Sequence, residues 1–285
     1  MKTGLVLEGG GVRGIYTAGV LDVFMENGID FDGVIGVSAG AIHACSYISR
    51  QCGRSIRYYK KYSKDPRFMG FRCWLKTGDV VGADFCYREL PDELDIFDHE
   101  AFYANKTPYY VVCSNVETGE AEYLQLRDMK TQIDYLRASA SLPYFSRIVE
   151  LDGKKYLDGG SVDSIPIDAF REMGYGRNVL VLTQHEGYVK KPEHGLLPKL
   201  IYRKYPAFRD ALLKRHEKYN ACLGRISELE RAGEVFVIRP SEPLNIGRLE
   251  KDPEEIERVY NIGRADAERR LKDMIEWKEN NNELS

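Results

Sequence analysis

The chain has 285 residues, with 41 Lys and Arg against 44 Asp and Glu and a formal net charge of -3. That length suits one large domain or two modest ones, and the charge balance excludes a whole-protein attraction for nucleic acid. No stretch reaches the roughly 18 to 20 apolar residues of a membrane span, and the six scattered cysteines contain no C-x-x-C pair, which argues against a zinc cluster and for a reduced cytoplasmic setting.

The first fifty residues alternate strand, turn and helix. Gly4 to Leu7 reads as a strand, too short for a signal-peptide core and closed by Glu8. After a glycine cluster, Ile15, Ala18, Leu21, Val23, Phe24 and Met25 mark a helix that ends at Gly28. Val34 to Val37 is the next strand and Ala39 to Arg50 the next helix, with Cys45 and Cys52 both expected as buried apolar fillers. This rhythm predicts a mostly parallel sheet covered by helices. Residues 55 to 100, rich in aromatics, read as a cap or lid inserted over a cleft.

Farther along, Tyr109 to Ser114 and Glu122 to Leu126 pair around a turn at Glu117-Thr118-Gly119. Ile133 to Ala140 is a helix and Lys155 to Leu157 a short strand. Pro166 to Met173 is a helix and Asn178 to Thr183 a buried strand. Beyond Pro192, Pro206 to Arg231 and Pro253 to Lys278 read as long helices flanking a strand at Val235 to Arg239. The chain divides into a core of residues 1–190 and a helical extension of residues 191–285 packed on it. The closing N-E-L-S carries no lipidation box.

Three motifs carry chemistry. Gly36-Val37-Ser38-Ala39-Gly40 is a G-x-S-x-G elbow between strand and helix, which would present the Ser38 hydroxyl at the positive end of a helix. Gly9-Gly10-Gly11-Val12-Arg13-Gly14 lies between the first strand and helix, where bare N–H groups can face a developing oxyanion. The same residues satisfy G-x-G-x-x-G of dinucleotide sites. However, Asp30 and Asp32 precede the second strand rather than ending it, and the strand delivers Ser38 where a ribose-binding acid belongs. Asp158-Gly159-Gly160 follows a short strand; taken alone it is also an ordinary D-G hairpin turn.

Together, and in this order, the three motifs resemble those of the patatin-like phospholipase family, as does the small-residue segment Ala138 to Phe145. The resemblance spans residues 4 to 185, with Glu8 standing where many members carry Asp. It implies a three-layer α/β/α fold and a Ser38–Asp158 dyad, with Ser38 the nucleophile and Asp158 the base. The backbone N–H groups of Gly9, Gly10, Gly11 and Val12 would form the oxyanion hole, supported by Arg13, Gly36, Gly40, Gly159 and Gly160. It also implies no metal and no cofactor. A free Asp is a weak base for a hydroxyl, so the dyad needs burial or a hydrogen bond poised for the transition state.

Among the histidines, His185 follows Asp158 at a strand end and is the formal candidate for a third catalytic member. His43 is expected to face away from Ser38, and His99, His194 and His216 read as surface residues. From Lys190 to Lys218, nine Lys and Arg stand against three acids, interleaved with Tyr202, Tyr205, Phe208, Leu212 and Leu213. That stretch reads either as a surface for anionic lipid or as a helix with its apolar side on the core. The expected substrate is a lipid or other acyl ester, reached in the cytoplasm or at the inner membrane face. The competing readings are a soluble carboxylesterase or acyltransferase on small acyl donors, and a catalytically idle lipid-binding or regulatory module.

Overall fold

Within the first strand, β1 (Thr3–Leu7), alternate side chains serve two separate cores, Leu5 and Leu7 on one face and Val6 on the other. A strand buried on both faces needs helices on both. The computed structural model, which describes residues 1–193 and 195–280, supplies them. In chain order the elements are β1, α1 (Ile15–Glu26), β2 (Gly33–Val37), α2 (Ala39–Ile48), α3 (Arg54–Tyr62), α4 (Phe71–Thr77) and α5 (His99–Ala104). Then come β3 (Tyr109–Asn115), β4 (Ala121–Gln125), α6 (Met129–Ser139), β5 (Val149–Leu151), β6 (Lys154–Asp158), α7 (Ile167–Glu172) and β7 (Arg177–Val181). The chain continues through α8 (Leu197–Ile201), α9 (Pro206–Arg231), β8 (Val235–Ile238) and α10 (Pro253–Glu279).

The sheet runs β5-β6-β3-β2-β1-β7-β8, with β4 also on β3. The stretch from β3 to β8 is parallel throughout, while β4, β5 and β6 join antiparallel. Helices α1, α2, α3, α6 and α10 bury apolar residues against Leu5, Leu7, Val111 and Val179. Helices α7 and α9 do so against Val6, Ile35, Val112 and Leu180 on the opposite face. This is the expected three-layer α/β/α arrangement.

The C-terminal residues do more than pack on a finished core. Strand β8 pairs in parallel with β7, from Asn178↔Val235 to Val181↔Ile238, and so completes the sheet edge. Helices α9 and α10 then lie on opposite faces.

Helix α2 stops earlier than the apolar pattern predicts, because Arg50 adopts φ 57° and Gly53 φ 72°. Cys52 therefore lies beyond the helix and is exposed, unlike the buried Cys45, which corrects the expectation for that residue. The D-G hairpin turn exists, but at Asp152-Gly153 between β5 and β6, where both residues take positive φ (52° and 76°). The strand before it, β5, is absent from the sequence reading because three residues carry too little pattern.

Residues 55–100 fold as α3, α4, a wide-turned helix Phe85–Leu94 around Pro91, and the start of α5. Their inner side belongs to the main core, through Tyr58, Phe68, Phe85, Leu90 and Phe97.

Candidate active site

The parallel strands β1 and β2 end side by side, Leu7 against Gly36, so the loops that follow them meet. Ser38 occupies the junction of β2 and α2 at φ 53° and ψ -120°, a strained conformation for a residue with a Cβ. The turn is possible because α2 crosses the end of β1 closely: a Cβ on Gly40 would lie 2.6 Å from the Leu7 carbonyl oxygen. Ser38 N–H donates to Ser139 Oγ at 2.8 Å, and the Ser139 hydroxyl donates to the Val112 carbonyl at 2.7 Å. Ser38 itself is buried, only 6% exposed.

Asp158 ends β6 opposite Cys113 of β3. Its Oδ1 accepts the Gly160 N–H at 2.7 Å, and its own N–H donates to the Ser141 carbonyl at 2.8 Å. Gly159 lets this turn pass over β3, since a Cβ there would fall 2.1 Å from the Val112 carbonyl oxygen. Burial holds the Asp158 carboxyl above the usual carboxylate range. The charge of Arg215, a hydrogen bond from Ser38, the Gly160 N–H and the charge of Arg248 pull it back only in part. Ser38 and Asp158, 120 positions apart in sequence, thus face each other across one pocket, together with Gly9, Gly10 and Gly11.

The glycine loop differs in one respect from expectation. Val12 N–H is engaged by the Arg248 carbonyl at 3.1 Å, so it does not point a free donor into the pocket. Gly11, at φ 60°, turns the chain immediately before it. Among the described residues, no acceptor takes the N–H groups of Gly9, Gly10 or Gly11. Arg13 Nε donates to Thr183 Oγ1 at 3.3 Å, which ties the loop to the end of β7. Glu8, preceding the glycines, is buried and accepts the Thr183 N–H and the Tyr219 hydroxyl, both at 2.6 Å.

Two cavities meet at Ser38. One is apolar, lined by Ile42, Tyr58, Phe68, Met69, Leu90 and Leu136 among others, and the 55–100 segment supplies part of its wall. The other is polar and carries Arg13, Lys190, Arg215 and Arg248 beside Asp158. Sequence reasoning did not find Ser139, Ser141, Arg215 or Arg248. The first two lie in the small-residue segment noted above without an assigned role, and the last two carried no motif at all.

The histidines fall elsewhere. His185 packs against Tyr188 and lines a separate pocket with Glu186 and Arg239 that includes neither Ser38 nor Asp158, so it is no third member. His43 is buried with Nδ1 on the Ser55 hydroxyl at 3.0 Å, and burial alone pushes its pKa down to about 3. His99 and His216 are half-buried rather than on the surface. His99 packs on Phe97, and His216 lines the outer cleft near Asp158. His194 lies outside the described residues. Among the described residues no cluster suits a metal ion, and no helix is long and apolar enough to cross a membrane.

Of the two readings of the basic–aromatic stretch, the one with its apolar side on the core holds for Tyr202, Phe208 and Leu212. They are buried in a core of their own with Val116 and Leu157, and so are unavailable to a lipid surface. Within the same stretch, Leu196, Leu197, Leu200 and Ile201, on and beside α8, are exposed.

The patatin-like phospholipase profile matches residues 5–171, and a domain of unknown function, DUF6363, matches residues 205–279. The uncharacterized protein YjjU of Escherichia coli is 32% identical over 187 residues, covering 64% of this chain and 52% of that protein. Lysophospholipase NTE1 of Saccharomyces cerevisiae is 30% identical over 176 residues, covering 60% of this chain and 10% of its own length. The chain thus spans about half of the first relative and a tenth of the second. Among solved structures, VipD from Legionella pneumophila aligns with 95% of this chain and 67% of its own, at a TM-score of 0.46 and 13% identity. With its profile matched over residues 5–171 of 285, this chain belongs to the patatin-like phospholipase family.

Proposed function

We propose that the protein hydrolyses carboxylic esters of lipids through a Ser38–Asp158 dyad. The observation that carries this reading is the meeting of a strained, buried Ser38 and a buried Asp158 where an apolar cavity joins a polar one. Ser38 Oγ attacks the ester carbonyl carbon while Asp158 takes its proton. The oxyanion is met by N–H groups of Gly9, Gly10 and Gly11. Collapse of the tetrahedral intermediate breaks the bond to the alcohol, which leaves with the proton from Asp158, and the acyl group stays on Ser38. Water then attacks the acyl-serine, Asp158 accepts its proton, and the free fatty acid departs as Ser38 recovers its hydrogen. The raised pKa of Asp158 makes it a stronger base than a solvated carboxylate, which suits this cycle.

The apolar cavity favours an acyl chain over a small acyl donor, and an intact nucleophile, base and glycine loop are superfluous for an idle binding module. Peripheral membrane contact, in this reading, uses Leu197, Leu200 and Ile201 of α8 with Lys199 beside them.

The test is hydrolysis of p-nitrophenyl esters from short to long acyl chains with EDTA present, using the wild type and the Ser38→Ala, Asp158→Asn and His185→Ala variants. Activity should survive EDTA and His185→Ala, vanish in the other two, and rise with chain length. A Ser38→Ala protein that keeps its rate sinks the hydrolase reading.

A further inference from the structure

The polar cavity beside Ser38 has a charge problem. Four cations, Arg13, Lys190, Arg215 and Arg248, line it against two carboxylates, Glu8 and Asp158. Glu8 is already held by Thr183 and Tyr219, and Asp158 by Gly160. Among the described residues none of the four cations forms a salt bridge, although Glu193 lies near Arg215 at the outer cleft. Arg215 is the most telling. Its Nε is sealed from solvent without a hydrogen-bond partner, while one terminal nitrogen sits against the Asp158 turn, 3.3 Å from where a Gly160 Cβ would be. A buried guanidinium edge with no acceptor is costly unless something fills the place.

Lys190 reports the same crowding. It is anchored through its backbone to Asn220 of α9 at 2.8 and 3.0 Å, and its ammonium stands 4.1 Å from the Tyr219 ring centroid. Burial first, then the charge of Arg215, push its pKa down to about 7 against an opposing pull from Glu8, with Arg248 and Arg13 adding smaller downward shares. An anion entering the cavity relieves both features.

We propose that Arg215 and Arg248, with Lys190 and Arg13, form a subsite for the phosphate of an ester substrate, so that the C-terminal region recognises substrate as well as completing the fold. This rests on the hydrolase reading above and adds to it the residues that read a phosphate-bearing acyl ester, its chain in the apolar cavity and its phosphate among the cations. Planar guanidinium groups in a recessed pocket suit the tetrahedral oxygens of a phosphate. Arg215 and Arg248 both fall within the span of unknown function, residues 205–279, and Arg248 also holds the glycine loop through its carbonyl. The subsite and the oxyanion loop are therefore built together.

The test compares kcat/KM on three soluble esters with one acyl chain: 1-decanoylglycerol, 1-decanoylglycerol 3-phosphate and 1-decanoylglycero-3-phosphocholine. The wild type should prefer the phosphate esters over the neutral one by about tenfold or more, and Arg215→Gln or Arg248→Gln should each cut that ratio about tenfold. Because Arg215 also acts on Asp158, its loss alters the rate on every ester. An altered rate with an unchanged ratio means that it serves the base alone, and overturns the proposal. Glycerol 3-phosphate and inorganic phosphate are titrated calorimetrically into the same proteins. Glycerol 3-phosphate should bind the wild type and bind Arg215→Gln far more weakly. Binding of inorganic phosphate with no preference among the esters would assign the pocket to free phosphate and overturn the substrate role. If no ester is cleaved, the hydrolase reading fails separately, and the glycerol 3-phosphate titration still decides whether the subsite exists.

Discussion

Ser139 Oγ accepts the N–H of Ser38 at 2.8 Å and donates its own hydroxyl to the Val112 carbonyl at 2.7 Å, while two residues on, the Ser141 carbonyl accepts the N–H of Asp158 at 2.8 Å. One short segment at the C-terminal end of α6 therefore sets the positions of both proposed dyad members. Ser139→Ala strands a buried N–H and a buried carbonyl, at a cost of about 1–3 kcal/mol, and frees the strained turn at Ser38. The expected result is a lower melting temperature together with a kcat reduced roughly 10-fold by misplacement of Oγ. Ester kinetics and a thermal melt on the same sample check it; a destabilised protein with unchanged kcat would leave Ser139 a purely structural part.

Asp158 gives a pH dependence with a definite sign. Its folded pKa lies above the ordinary value, so the acid limb of kcat/KM falls above the usual carboxylate range, and activity rises as pH climbs through it. Stability runs the other way. A raised folded pKa means that the contribution of the protonated form is present at low pH and is lost as pH rises through the folded value. Asp158→Asn, which keeps an acceptor for Gly160, should be inactive yet melt a few degrees higher than the wild type at neutral pH, on the scale of about 1 kcal/mol. The gain should disappear in acid. A melting temperature that falls at neutral pH would refute the buried-charge account.

Ser38 stores strain of a second kind. At φ 53° and ψ -120° a serine costs of the order of 1 kcal/mol more than a glycine. Ser38→Gly should therefore be stable or more stable than Ser38→Ala, with no esterase activity in either. Denaturant midpoints for the pair measure the difference, and equal midpoints would remove strain from the explanation of this turn.

What sequence allowed, and what it withheld, follows from where the contacts are made. The strand–turn–helix context of Ser38 and the glycines of the first loop are local, and local pattern predicted them. Leu5, Val6 and Leu7 likewise read as a strand, which the structure buries on both faces. Arg215 and Arg248 reach the site only because α9 and the loop before α10 fold back over the parallel sheet, a long-range event that no spacing encodes. The same folding-back places Tyr202, Phe208 and Leu212 inside a core, which decides between the two readings that their interleaving with cations leaves open. Val12 was misjudged for the same reason, since its partner Arg248 is 236 positions away.

With those side chains buried, the proposed membrane contact rests on α8, whose exposed Leu197, Leu200 and Ile201 lie close to Tyr202, which accepts the Tyr144 N–H on its hydroxyl at 2.9 Å. Tyr144 and Phe145 border the cleft that contains Asp158. Replacing Leu197 and Leu200 by Asp should reduce co-sedimentation with anionic phosphatidylglycerol vesicles severalfold and leave hydrolysis of a monomeric short-chain ester unchanged. Unaltered vesicle binding would remove α8 from the account.

The last prediction concerns Glu8, the residue that stands where many patatin-like sequences carry Asp. Its carboxylate reaches past the end of β1 to accept the Tyr219 hydroxyl of α9 and the Thr183 N–H after β7, each at 2.6 Å. It thereby fastens the glycine loop to the helix that carries Arg215. Burial and the neighbouring Glu8 charge raise the Tyr219 pKa, so the phenol stays protonated and remains a donor throughout the working range. Tyr219→Phe removes one charge-assisted bond from a buried carboxylate, which costs about 1.5–3 kcal/mol. The variant should melt several degrees lower and lose kcat/KM, as the glycine loop and α9 no longer hold a common register. Glu8→Asp shortens the reach by one methylene and should weaken the same link. A double-mutant cycle on melting free energies would then give coupling between the two positions, whereas strict additivity would mean that the bond does not join loop and helix.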